Sequence, residues 1–156
     1  MASLTGAEQL RQYANDNGIA VCDLHLSDQK KAVSFDLGHE IKCIALDKPN
    51  IPTVAEERTL LAEEIGHHKT HSLYSLTAAY NSPLARQNRN KCEAKAKQWA
   101  IKKVLPASVI RKAMKDGARN DYELAEYCEV PLGYLKDALV YYEAIGIRFE
   151  AGGMNH

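Results

Sequence analysis

The stretch Leu60-Leu61-Ala62-Glu63-Glu64-Ile65-Gly66-His67-His68 decides how the rest of this 156-residue chain is read. It lies in a helical pattern predicted from about Val54 to at least His71. Thr53 opens that pattern three residues before Glu56, the spacing of a capping box. On a helix, residues four apart project about 40° apart, so Glu63 and His67 share a face, and Glu64 follows Glu63 at an offset of about 100°. This is the spacing of the His-Glu-x-x-His zinc helix with its first His replaced by Glu63. Carboxylate and imidazole both bind zinc, so Glu63 and His67 are candidate ligands. Glu64 is the candidate general base, taking a proton from water and passing it to a leaving amine. Two glutamates on an amphipathic helix are ordinarily solvent-facing charges, and a His pair near a helix end ordinarily meets the dipole and water. The spacing by itself therefore does not establish a site.

A catalytic zinc needs three protein ligands and an open position. Glu93, near the start of a second predicted helix (about Arg89 to Val104), is one candidate for the third. His71, the next i+4 step from His67, is its rival, while His68 points further round the helix. Tyr74 and Tyr80 follow the motif helix and are candidate oxyanion donors, although core or surface tyrosines are commoner.

Around this centre, Ala7 to Asn17 reads as a short helix stopped by Asn17-Gly18. Three apolar segments, Ile19 to Leu26, Ala32 to Leu37 and Ile41 to Leu46, read as strands. With a Gly38-His39 turn between the last two, a small antiparallel sheet is expected. Residues 72–90 are polar and irregular, with Asn81-Ser82-Pro83 as a turn. Further helices are expected from Ala107 to Lys115, from a cap at Asn120 or Asp121 to Cys128, and from Leu132 to Glu143, with a frayed tail from Ala151 to His156.

Hydrophobic residues make up 46% and charged residues 26%, with 20 basic against 20 acidic side chains. This is a globular composition, without the overall charge of a surface built for nucleic acid or anionic lipid. No apolar run approaches the ~20 residues of a membrane span. The first residues lack an apolar signal core, so a cytoplasmic protein is expected. The four cysteines, Cys22, Cys43, Cys92 and Cys128, show no CxxC or ribbon spacing and read as reduced thiols. Locally the charge is uneven. Residues 86–119 hold eleven Lys or Arg against Glu93 and Asp116, a charge of +9. That segment is either a solvated basic face or a surface for an acidic partner. Residues 121–143 have the look of a helix-turn-helix, but Asp121, Glu123, Glu126, Glu129, Asp137 and Glu143 oppose only Lys136. An acidic recognition helix does not favour phosphates, so nucleic acid is not the expected partner. No glycine-rich phosphate loop and no Gly-x-Ser-x-Gly elbow is present.

The run Leu61-Ala62-Glu63-Glu64-Ile65-Gly66-His67-His68 resembles the active-site helix of the ImmA/IrrE metallopeptidases, which reads His-Glu-Leu-Gly-His or, in one branch, Ala-Glu-Glu-Leu-Gly-His-His/Tyr. The resemblance extends to Ala45-Leu46-Asp47-Lys48 with its proline-bearing loop. It extends also to Arg89-Asn90-Lys91-Cys92-Glu93-Ala94-Lys95-Ala96-Lys97-Gln98-Trp99-Ala100 followed by Leu105-Pro106, and to Tyr122-Glu123-Leu124-Ala125-Glu126-Tyr127-Cys128-Glu129-Val130. Together these segments span roughly residues 5–147. The resemblance implies an α+β fold: a mainly helical zincin-like, thermolysin-type core with a small antiparallel sheet, and a C-terminal helix-turn-helix-like part. The expected division is 1–105, 106–147 and a tail at 148–156. It implies a metalloendopeptidase that cleaves or inactivates a helix-turn-helix repressor of a phage or mobile element. Carried over by position, Glu63, His67 and Glu93 would be metal ligands and Glu64 the general base. With Glu63 in place of His, the donor set is harder and more anionic, so Zn2+ is expected and Mn2+ or Fe2+ is accommodated. The alternative is a non-hydrolytic antirepressor with a vestigial metal site.

Overall fold

In the computed structural model of the chain, residues 6–27, 29–38, 41–73 and 83–149 are described. Tyr74, Tyr80, the Asn81-Ser82 part of the expected turn and the tail Ala151 to His156 lie outside them. The order of elements is α1 (Gly6–Asp16), β1 (Ile19–Asp23), β2 (Ala32–Asp36), β3 (Lys42–Leu46), α2 (Val54–Lys69), α3 (Pro83–Val104), α4 (Ala107–Lys115), α5 (Asp121–Cys128) and α6 (Leu132–Ala144). The protein is thus of mixed α and β class. It forms two compact units that divide within α3, residues 1–100 and 101–156.

In the first unit, α1 buries Ala7, Leu10 and Ala14, spaced at three and four residues along one face. It stops where Asn17 donates both its backbone N–H and its side-chain Nδ2 to the Tyr13 carbonyl, and Gly18 takes φ 73°. The three expected strands all form, but the sheet is mixed rather than antiparallel. The strand order is β1-β3-β2. The β2–β3 pair is the expected antiparallel hairpin, with Leu37 N–H donating to the Ile41 carbonyl at 2.9 Å, whereas β1 lies parallel to β3.

Two features explain that order. Cys43, Ile44, Ala45 and Leu46 are all buried, so β3 takes the centre, as a strand covered on both faces must. Asp47, just beyond β3 and only 1% exposed, then carries the connection from β1 across the end of the sheet. Its Oδ2 accepts from Leu26 N–H and from Asn50 Nδ2, both at 2.9 Å, and its own N–H donates to the Lys31 carbonyl at 2.9 Å. The chain therefore runs up β1, over the top, down β2 and up β3.

Helix α2 begins as the sequence indicates, with Thr53 Oγ1 accepting from Glu56 N–H at 3.1 Å. The Glu56 carboxylate pairs with Lys31 Nζ at 2.5 Å instead of returning to the cap. Buried residues surround α2: Glu57, Thr59, Leu61, Ala62, Ile65, Gly66, His67 and His68. It packs on α1, β2 and β3, so it is a central helix rather than a surface amphipathic one. Its carboxylates are therefore held inside the unit. Glu57, for example, accepts from Arg11 at 3.0 Å. The helix ends at Lys69, two residues short of the expected His71, because His71 takes a left-handed φ of 52°. Helix α3 begins earlier than expected, at Pro83, whose fixed φ and missing N–H suit a first turn.

In the second unit, Leu105, Ile110, Ala113, Leu124, Leu135, Ala138 and Tyr142 are buried, and Tyr142 Oη donates to the Leu105 carbonyl at 2.9 Å. Asn120 caps α5 through Glu123 N–H at 2.9 Å, and Glu129 closes it at φ 55°. Glu123, Glu126, Glu129, Asp137 and Glu143 are exposed on α5, α6 and the turn between them, while Arg111, Lys112, Lys115 and Arg119 on and after α4 are exposed basic groups of the same unit. None of the four cysteines forms a disulfide, and among the described residues no helix is long and apolar enough to cross a membrane.

The Leu26 N–H, with Asn50 and His25 beside it, holds the Asp47 carboxyl below its ordinary pKa, against the opposing effect of burial. A carboxyl so lowered contributes stability above its unfolded value of about 3.9 and loses it as the pH falls through the folded-state value. Asp47→Asn is therefore expected to lower the melting temperature at neutral pH, with the gap to wild type closing below about pH 4. Thermal unfolding across that range checks this, and a gap unchanged in acid would contradict it.

Candidate metal centre

Helices α2 and α3 meet backbone to backbone at Gly66. A Cβ placed on Gly66 would lie 2.5 Å from the Ala96 carbonyl oxygen and 3.1 Å from the Ala96 Cα. Only a residue with no side chain permits that approach. Its consequence is local: His67 follows Gly66, Glu93 lies one turn before Ala96, and His67 Nε2 stands 3.5 Å from Glu93 Oε2.

His67 is buried, and its Nδ1 lies 3.1 Å from the Ser72 carbonyl. A carbonyl only accepts, so Nδ1 carries the proton and Nε2 is the nitrogen turned to Glu93. A metal-binding His is commonly fixed in this way through its other nitrogen. Burial pulls the His67 pKa down, but the Glu93 and Glu64 carboxylates outweigh it and the net shift is upward. A place that draws a proton onto Nε2 also draws a cation. The 3.5 Å gap between the two donors is close to the ~3.4 Å expected of two ligands about 2.1 Å from one tetrahedral ion.

Glu64 lies on the same helix, and its carboxylate Oε2 is 2.5 Å from Ser34 Oγ on β2. Burial raises its pKa despite that hydrogen bond and the nearby imidazole. Glu64, His67 and Glu93 line one pocket of about 380 Å³ with Ser34, Lys30 and Leu60 among its walls. Glu63 is not among the described residues that line it. Burial pushes the Glu63 carboxyl up to about 7, with Glu64 and Glu93 adding to the rise while Lys97 and His67 oppose it. The donor chemistry thus fits a divalent ion at His67 and Glu93. Among the described residues, however, no three His, Cys, Asp or Glu side chains stand grouped to hold one as they are.

His71 is exposed and lies beyond the end of α2, so the i+4 relation that made it a rival ligand does not exist. His68 is buried on the side of β3, where its Nε2 donates to the Cys43 carbonyl at 2.9 Å, an anchor between helix and sheet. Sequence reasoning missed Ser34. The alternation Val33, Phe35, Leu37 marks the apolar positions of this strand, and nothing in it signals that the intervening serine reaches a glutamate thirty residues away.

Residues 14–139 match the Peptidase_M78 family model, described as the IrrE N-terminal-like domain. The match covers most of the chain, and the chain belongs to this metallopeptidase family. No curated protein and no solved structure matches it.

In an open helix Gly→Ala gains roughly 0.5–1 kcal/mol. At Gly66 the added methyl meets backbone, and overpacking of this kind costs about 1–3 kcal/mol. Gly66→Ala is expected to lower the unfolding midpoint and the affinity for zinc together, read by denaturant titration and by metal titration. A variant more stable than wild type would contradict the close approach.

Proposed function

We propose that this chain, as a member of the IrrE-like peptidase family, is a metal-dependent endopeptidase whose substrate is a helix-turn-helix repressor of a phage or mobile element. The observation that carries the hydrolytic reading is the convergence of His67, Glu93 and Glu64 on one pocket. The choice of substrate is supported by the resemblance of the separated sequence segments to the ImmA/IrrE family.

His67 and Glu93 would hold the ion, with Glu63 as the third donor from one turn earlier on α2. Zinc fits an imidazole with carboxylates, and Mn2+ or Fe2+ is compatible with so anionic a set. Bound there, the ion would supply a Lewis acid that polarises the scissile carbonyl and acidifies water. Glu64 takes the proton of the attacking water as the new carbon–oxygen bond forms. It then delivers that proton to the nitrogen that leaves as the carbon–nitrogen bond breaks. Burial suits Glu64 to this exchange, because a raised pKa brings a carboxyl nearer the operating pH of a proton shuttle. The Ser72 carbonyl keeps the His67 ring from turning.

A second reading is favoured by one observation: the third donor does not stand with the other two. On that reading the protein sequesters the repressor without cutting it.

The two readings separate when the zinc-loaded chain is incubated with the repressor encoded nearest its gene and the products are weighed by mass spectrometry. Expected are two repressor fragments from wild type. Glu64→Gln should retain its metal but lose about 10²-fold or more of the rate, the contribution of a general base. His67→Ala should lose the metal itself. Repressor that stays intact and is bound equally by wild type and Glu64→Gln would overturn the peptidase reading in favour of sequestration.

A further inference from the structure

We propose that Ser34 is a positioning residue for Glu64, holding one carboxyl oxygen so that the other exchanges the proton. This rests on the reading of Glu64 as general base. The Ser34 hydroxyl stands 2.5 Å from Glu64 Oε2 and 2.8 Å from the Glu64 backbone carbonyl. A hydroxyl has a single proton to donate, so these two acceptors compete for it. While Glu64 is ionised, the charged oxygen wins, because a hydrogen bond to a carboxylate is the stronger of the two. Oε2 is thereby engaged, and Oε1 is the oxygen left to take a proton from water. Once Oε1 carries that proton, the carboxyl is neutral and its hold on the hydroxyl weakens. The Glu64 carbonyl then offers the same hydroxyl a second acceptor without displacement of either residue. The serine proton never leaves Ser34. It swings between two oxygens of one residue while the transferred proton travels from water to Oε1 and on to the leaving nitrogen.

The placement of Ser34 makes this possible. It lies at the middle of β2, paired across the sheet with the buried Ile44 of the central strand β3, so its backbone is fixed by the ladder rather than by a loop. It also lines the same pocket as Glu64, His67 and Glu93. A residue that served only to tie β2 to α2 would act on stability. One that positions the base acts on turnover.

The test uses zinc-loaded full-length chain and the repressor cleavage assay on wild type, Ser34→Ala, Ser34→Thr and Glu64→Gln. Metal content and melting temperature are measured on each. Proteins labelled with carbon-13 at the glutamate carboxyl are also prepared, and the Glu64 signal is identified by its absence from Glu64→Gln. Ser34→Ala is expected to lose roughly ten- to hundred-fold in kcat, the factor carried by one hydrogen bond to a charged group, with KM and metal content unchanged and the chain still fully folded at the assay temperature despite a small fall in melting temperature. Its Glu64 carboxyl signal should move at fixed pH, and Ser34→Thr, which keeps the hydroxyl, should restore both rate and signal. Wild-type kcat in Ser34→Ala, or a loss matched by loss of metal or of folding, would overturn the role of Ser34 and leave Glu64 as base. Absence of cleavage by wild type itself would overturn both.

Discussion

The arrangement of the first unit depends on the contact between Gly66 and the backbone of Ala96. Two helices that pack through ordinary side chains run about 8–10 Å apart. Here the approach is closer, and His67 and Glu93 face each other at 3.5 Å with the imidazole still anchored to the Ser72 carbonyl. The small residue at position 66 thus permits the helix contact beside which His67 and Glu93 face each other. His68, on the other side of the same turn, fastens that turn to the sheet through Cys43.

The second constraint is electrostatic. Glu64 and Glu93 act on the His67 imidazole, and Glu63 and Glu64 lie on a helix covered by α1 and the sheet. Burial raises the pKa of Glu63 and Glu64 alike, while the Glu93 and Glu64 carboxylates raise that of His67 against its own burial. Such a cluster is relieved either by protons or by a cation. A divalent ion would satisfy the same groups and leave Glu64, tied to Ser34, as the carboxylate free for proton transfer. Membership of a metallopeptidase family accords with the second outcome.

What the sequence disclosed follows the range of the interactions involved. The helix carrying Glu63, Glu64 and His67 was legible because its cap, its period and its motif are all local, and the family was legible because several separated segments matched together. The end of α2 was not legible. A left-handed His71 has no sequence mark of the kind a glycine gives, so the i+4 series was carried two residues too far. The parallel pairing of β1 was hidden as well, since it depends on Asp47 gathering a loop twenty residues away in sequence. Ser34 and the Gly66–Ala96 approach are tertiary facts of the same sort: each residue is ordinary in its own segment and acquires its meaning from another.

The position a metal takes on the chain is the most direct observable of the centre. Crystals of the chain grown with zinc and measured on both sides of the zinc absorption edge would show this without reference to any substrate. The expected result is an anomalous peak at bonding distance from His67 Nε2 and the Glu93 carboxylate, inside the pocket that Glu64 also lines. A peak elsewhere on the chain, or none in that pocket at saturating zinc, would contradict the claim that the α2–α3 contact assembles a metal centre.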